Sequence, residues 1–115
     1  MRAHLQIAAV IAASVTIAAV PAAGSSVTGP DALMAGFACI HRYEGAWSAN
    51  TGNGYFGGLQ MDLTFQRSYG PDYLRAWGTA DNWPPSVQVA VAIRAYLSGR
   101  GYGPWPNTAR LCGLT

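Results

Sequence analysis

Glu44 is the sole glutamate in a chain of 115 residues, and it stands in the stretch CIHRYEGAW, between Cys39 and Trp47. Shortly after comes NTGNGYFGGLQM, dense in glycine and amide side chains, followed at once by Asp62. A carboxyl group in an apolar setting keeps its proton to higher pH and can pass it to a leaving oxygen. Phe37, Tyr43 and Trp47 are the apolar neighbours of Glu44 along the chain, so general acid catalysis is the chemistry these residue types suit. His41, about one helical turn earlier, either hydrogen-bonds Glu44 or stays exposed. Four Trp and six Tyr are many for so short a chain, and their flat faces suit the C–H faces of sugar rings.

Other chemistries fit less well. The seven basic residues are all Arg and are opposed by five acids, with no basic stripe of the kind nucleic acid demands. The two Cys are far apart, as are the two His, so neither a metal site nor a cofactor is expected.

The elements that must position Glu44 follow from the hydrophobic pattern. Pro30-Asp31 opens a helix, with Asp31 able to cap it or to complement the N-terminal dipole. Leu33, Phe37, Cys39 and Ile40 give it an apolar face, and Gly45 ends it, placing Glu44 at its C-terminal end. Asn50 to Gly58 is turn-rich and predicts a short β-hairpin, left through Leu59–Met61. Leu63 to Tyr69 reads as a second helix, broken by Gly70-Pro71, and Pro71 to Trp77 as a third. Ser86 is the expected cap of the most apolar helix, running through Val87, Val89, Val91, Ile93 and Leu97 to Gly99 or Gly101 and central to the fold. An aromatic, proline-rich tail then leads to Cys112. The expected fold is mainly α, a small helical domain with one short hairpin. Trp47 and Trp83 read as core, and Asp72 and Asp81 as solvated.

The N-terminus reads differently. Arg2 and His4 precede an apolar run from Leu5 to Val20, then Pro21 and small residues, the pattern of a secretory signal peptide over residues 1–22. Cleavage after Ala22 or Ala23 would leave a short tether, 23–30, and a single domain, 31–115, with no stable membrane insertion. A secreted or cell-wall location exposes Cys39 and Cys112 to an oxidising compartment, where they are expected to form one disulfide; two buried free thiols are the alternative. The domain is expected to be a monomer.

The stretch around Glu44 resembles a known family. Cys39, Glu44 and Trp47 have the spacing of the catalytic helix end of animal-type lysozymes. NTGNGYFGGLQM is similar to the same segment of the actinobacterial resuscitation-promoting factors, secreted peptidoglycan-cleaving domains of lysozyme-like fold. VQVAVAIRAYLSGRGYGPWP resembles their last helix and aromatic tail. In those factors Glu directly follows the first cysteine, whereas Glu44 keeps the lysozyme spacing. The Asp that lysozymes place two residues before Gly-x-Leu-Gln is matched here by Tyr55, which leaves Asp62 as the nearest second carboxylate. The resemblance implies an α+β lysozyme-like fold and a muralytic enzyme cleaving between N-acetylmuramic acid and N-acetylglucosamine in peptidoglycan. With one catalytic acid, Glu44, it implies the lytic transglycosylase route. Tyr55, Gln60, Asn50, Asp62 and Trp105 are the implied substrate contacts, although Asn50 also reads as a turn residue, Gln60 as a partner for backbone, and Trp105 and Tyr102 as a lid on the core. The alternative is an inactive glycan-binding or signalling domain on the same fold, and more remotely a small scaffold for a protein partner.

Overall fold

A computed structural model of the chain describes residues 29–114. The expected signal peptide, its cleavage point and most of the tether lie outside the described residues. The unit beginning at Leu33 carries all that follows, and Pro30–Ala32 supply the first turn of the opening helix.

That helix, α1 (Pro30–Glu44), buries Leu33, Gly36, Phe37 and Ile40, a stripe spaced by three and four residues along one face. It ends at Glu44, as expected, with the Gly45 amide donating back to the His41 carbonyl at 3.3 Å. Next, α2 (Leu63–Tyr69) is capped by Asp62, whose Oδ1 accepts from the Phe65 amide at 2.8 Å. Gly70 closes α2 and precedes α3 (Pro71–Trp77), which starts on Pro71, the first-turn position where a missing N–H costs nothing. A single 3₁₀ turn, Ala80–Asn82, leads to α4 (Pro85–Ala95). Here Ser86 is not the cap. The helix begins two residues earlier than that cap would allow, on Pro85, whose ring presets the helical φ, and Pro84 occupies the capping position. Val91, Ala92 and Ala95 of α4 are fully buried, so it does run through the core, while Leu97 beyond it is exposed. A wider turn, Tyr96–Arg100, follows, with Gly99 at φ +111°.

The expected hairpin needs correction. The segment from Asn50 to Met61 contains no strand; it makes only isolated antiparallel bridges, Asn50 with Phe56 and Phe56 with Met61. Gly52, Gly54 and Gly57 all have φ near +80° to +90°, so the chain turns too often for a ladder to extend. Within the aromatic, proline-rich tail, Pro106–Leu111 forms a short helix, α5, with Pro106 at its first position.

The core joins these pieces through aromatics. Phe37 of α1 meets Trp105 edge-on at 5.0 Å and Tyr102 at 5.2 Å, and Phe65 of α2 meets Trp105 at 5.6 Å. Cys39 and Cys112 are bonded, with Cα atoms 6.1 Å apart, so the end of α5 is tied to the middle of α1. Among the described residues no helix is long and apolar enough to cross a membrane.

Candidate active site

The loop after Glu44 is shaped by two glutamines that no water reaches. Gln88 of α4 is fully buried. Its Oε1 accepts from the Gly58 amide at 2.8 Å, and its Nε2 donates to the carbonyls of Trp47 at 2.9 Å and Trp83 at 3.0 Å. Gln66 of α2, equally buried, donates to the Met61 carbonyl and accepts from the Ala80 amide, both at 2.9 Å. Buried amides of this kind substitute for the ladder that the turn segment lacks, because each backbone group they hold would otherwise be stranded from water. Close approach explains two of the glycines. A Cβ on Gly58 would run into Trp47 and His41, and one on Gly57, at φ +79°, would run into the Gln88 amide.

His41 does not pair with Glu44. Its ring stacks on Trp47 with centroids 3.7 Å apart, and its Nδ1 donates to the Gly58 carbonyl at 3.2 Å. Trp47 is therefore half-buried against His41 rather than deep in the core, whereas Trp83 is a core residue, 2% exposed.

Between the turn segment and the Arg100 turn lies a cleft of about 200 Å³. Met61, Phe65 and Trp105 are its buried lining residues. Its more exposed lining includes Tyr55, Gln60, Asp62, Ser68 and Arg100. Tyr55 is 48% exposed, and Asn53 holds its backbone by accepting from the Tyr55 amide at 3.0 Å. Gln60 has φ +50°, the one positive value among described non-glycine residues. A side chain held there is strained, and strain of that kind gathers at functional sites. The Gln60 amide donates to the Gly57 carbonyl at 3.0 Å and accepts from Asn53 at 3.4 Å. Asp62 shares its carboxylate between the cleft and the α2 cap. Trp105 is only 4% exposed and donates from Nε1 to the Leu59 carbonyl at 2.8 Å, so little of its face is open to the cleft.

Glu44 is not itself in the lining of this cleft. It lies next to the cleft through its chain neighbour Gly45 and is held on its other side by α5. Gly45, the next residue, faces the Gln60 amide, with 3.5 Å from its Cβ position to Nε2. On the other side the Glu44 Oε2 accepts from the Thr108 hydroxyl of α5 at 2.8 Å. The surround is therefore less apolar than the sequence suggests: Phe37 is turned into the core, and Tyr43 is 56% exposed. Asn50 stands apart, donating to Asp81 at 3.5 Å.

Arg100 was not anticipated from the sequence. Its guanidinium lies 5.9 Å over the rings of both Phe65 and Tyr69. Hydrogen bonds from Ser98 and then Arg100 hold the Tyr69 phenol below its ordinary value. Thr108 and Gln88 were missed as well. Gln88 had a faint signal, a lone amide inside VQVAVAI; Thr108 had none. Among the described residues no group of three or more His, Cys, Asp or Glu gathers as metal ligands would.

Residues 41–108 match the transglycosylase-like domain family. The chain belongs to that family. The matched span takes in Glu44, the whole cleft and Thr108. Over 70 residues the chain is 40% identical to a resuscitation-promoting factor of Corynebacterium glutamicum, covering 61% of this chain and 35% of that protein. It is 30% identical over 110 residues to one from Micrococcus luteus, covering 91% and 45%. A third, from Mycolicibacterium smegmatis, is 41% identical over 63 residues, covering 54% and 16%. The resemblance read from NTGNGYFGGLQM is thus borne out, and the chain spans less than half the length of these curated relatives.

Proposed function

We propose that this transglycosylase-like domain is a secreted peptidoglycan-cleaving enzyme acting on the bond between N-acetylmuramic acid and N-acetylglucosamine, with Glu44 as its acid. The observation that carries the proposal is the placement of the single Glu of the chain at the end of α1, next in sequence to Gly45, which faces the cleft residue Gln60, and hydrogen-bonded by the Thr108 hydroxyl. The resuscitation-promoting factors it resembles support peptidoglycan as the substrate. Export rests on the pattern of residues 1–22.

The reaction proposed is lytic transglycosylation. Glu44 protonates the glycosidic oxygen, the bond from that oxygen to the muramic C1 breaks, and the 2-acetamido oxygen closes onto C1 to hold the positive charge. The 6-hydroxyl of the same sugar then attacks C1 and gives its proton back to the Glu44 carboxylate, releasing a 1,6-anhydro end. A retaining hydrolase instead needs a second carboxylate close by. Tyr55 fills the position where the lysozyme resemblance would put it, and Asp62 spends one oxygen on the Phe65 amide. The cleft side chains Tyr55, Gln60, Asp62 and Arg100 are suited to hydroxyl, amide and carboxylate groups of a glycan strand.

The test is mass spectrometry of muropeptides released from purified peptidoglycan. Anhydromuramic ends are expected, and in Glu44→Gln their release should fall by a factor on the order of 10² to 10⁴. Reducing ends alone, abolished by Asp62→Asn in a folded protein, would show hydrolysis with Asp62 as partner. Undiminished cleavage by Glu44→Gln, or retention on cell wall with no cleavage by the unaltered chain, would overturn the proposal, the latter in favour of a glycan-binding domain.

A further inference from the structure

Among the described residues Thr108 is the one side chain hydrogen-bonded to Glu44, and it reaches there from 64 residues away. Taking Glu44 as the acid, we propose that Thr108 is a positioning residue that sets which carboxyl oxygen carries the catalytic proton. A neutral carboxyl has one O–H and one carbonyl-type oxygen. With the Thr108 hydroxyl donating to Oε2, at 2.8 Å, the proton of the neutral acid is left to Oε1. Once the proton has left, the same hydroxyl continues to donate to Oε2 and stabilises the new carboxylate, a charge-assisted bond stronger than the neutral one.

The donor is held in place from both ends of its helix. At the front of α5, Trp105 is buried and anchored to the Leu59 carbonyl at 2.8 Å. At the back, Cys112 is bonded to Cys39 of α1. Thr108 lies between these anchors, and Cys39 and Glu44 share α1, so the disulfide fixes the same helix pair that the Thr108–Glu44 bond crosses. The hydroxyl is also carried by a β-branched residue, whose χ1 has few choices. An unanchored surface threonine would have no reason to keep this geometry.

The experiment compares Thr108→Val, which keeps shape and removes the hydroxyl, with Thr108→Ser, which keeps the hydroxyl. Turnover of soluble peptidoglycan strands by the oxidised protein is measured alongside Glu44→Gln and the double variant Thr108→Val/Glu44→Gln. Thr108→Val is expected to lower kcat about 10- to 100-fold, the scale of a hydrogen bond to a charged group, with KM within about twofold. Ser should restore most of the loss, and the double variant should be no slower than Glu44→Gln alone. Wild-type kcat in Thr108→Val, an equal loss in Ser and Val, or a loss that follows the melting temperature would each overturn the inference while leaving Glu44 as the acid. Full turnover by Glu44→Gln would instead remove the reading beneath it.

Discussion

Gln88→Leu should destabilise this domain more than almost any other single change that keeps side-chain volume. Leucine fits the space but offers no polar atom, and three backbone groups lose their partner: the Gly58 amide and the carbonyls of Trp83 and Trp47. The first two of these bonds are buried and the third is partly so. Stranding a buried donor or acceptor costs about 1–3 kcal/mol each, because only one side of the bond has been replaced. Allowing about 1 kcal/mol for the Trp47 carbonyl and offsetting about 1 kcal/mol for the more apolar side chain leaves a net loss of about 2–6 kcal/mol. Against a total of about 5–15 kcal/mol, that is a large share. For a domain of this size it corresponds to a melting temperature lower by roughly 8–48 °C. Thermal unfolding of the oxidised protein, followed by circular dichroism, is the assay. Because Gly58 and Trp47 flank the turn that carries Gln60, cleavage of peptidoglycan should fail at temperatures where the unaltered protein still works. A shift below about 5 °C would show that the buried amide is not what holds this loop, and that the loop satisfies its own backbone by some other arrangement.

Other perturbations have sharper signatures. Replacing both Cys39 and Cys112 by Ser opens a link across a sequence separation of 73 and should cost about 4 kcal/mol in the chain-entropy account, read as a lower denaturation midpoint. Gly58→Ala puts a Cβ against Trp47 and His41 and should cost about 1–3 kcal/mol, with a change in tryptophan emission as the stacked pair separates. The Arg94 guanidinium, 3.0 Å from Asp72 at the surface, holds the Asp72 carboxyl below its ordinary 3.8. Since a depressed carboxyl stabilises only while ionised, Asp72→Asn should lower the melting temperature slightly at neutral pH. The difference from the unaltered protein should begin to shrink as the pH falls below about 4 and vanish below the depressed folded value, and a difference that persists in stronger acid would mean that packing, not charge, is responsible.

The residues themselves already specified much of this protein. The stripe Leu33, Phe37 and Ile40, the break at Gly70-Pro71 and the glycine-rich turn are local signals, readable because helix period, proline and positive φ act within a few residues. The same holds for Glu44 at a helix end. The disulfide was legible from the presence of just two cysteines in a chain with an export-like start. The tertiary structure alone decided what Glu44 touches. Thr108 reaches it across 64 residues, from a helix whose first residue, Pro106, has the type that ends helices as readily as it begins them. It also decided that Asn50 to Met61, which pairs with itself only at isolated bridges, is pinned by Gln66 of the next helix and Gln88 of a distant one instead of extending into a hairpin ladder. A buried amide looks, in sequence, like any surface glutamine. Only the packing around it removes water and turns each of its hydrogen bonds from an exchange with solvent into a contact that backbone groups cannot do without.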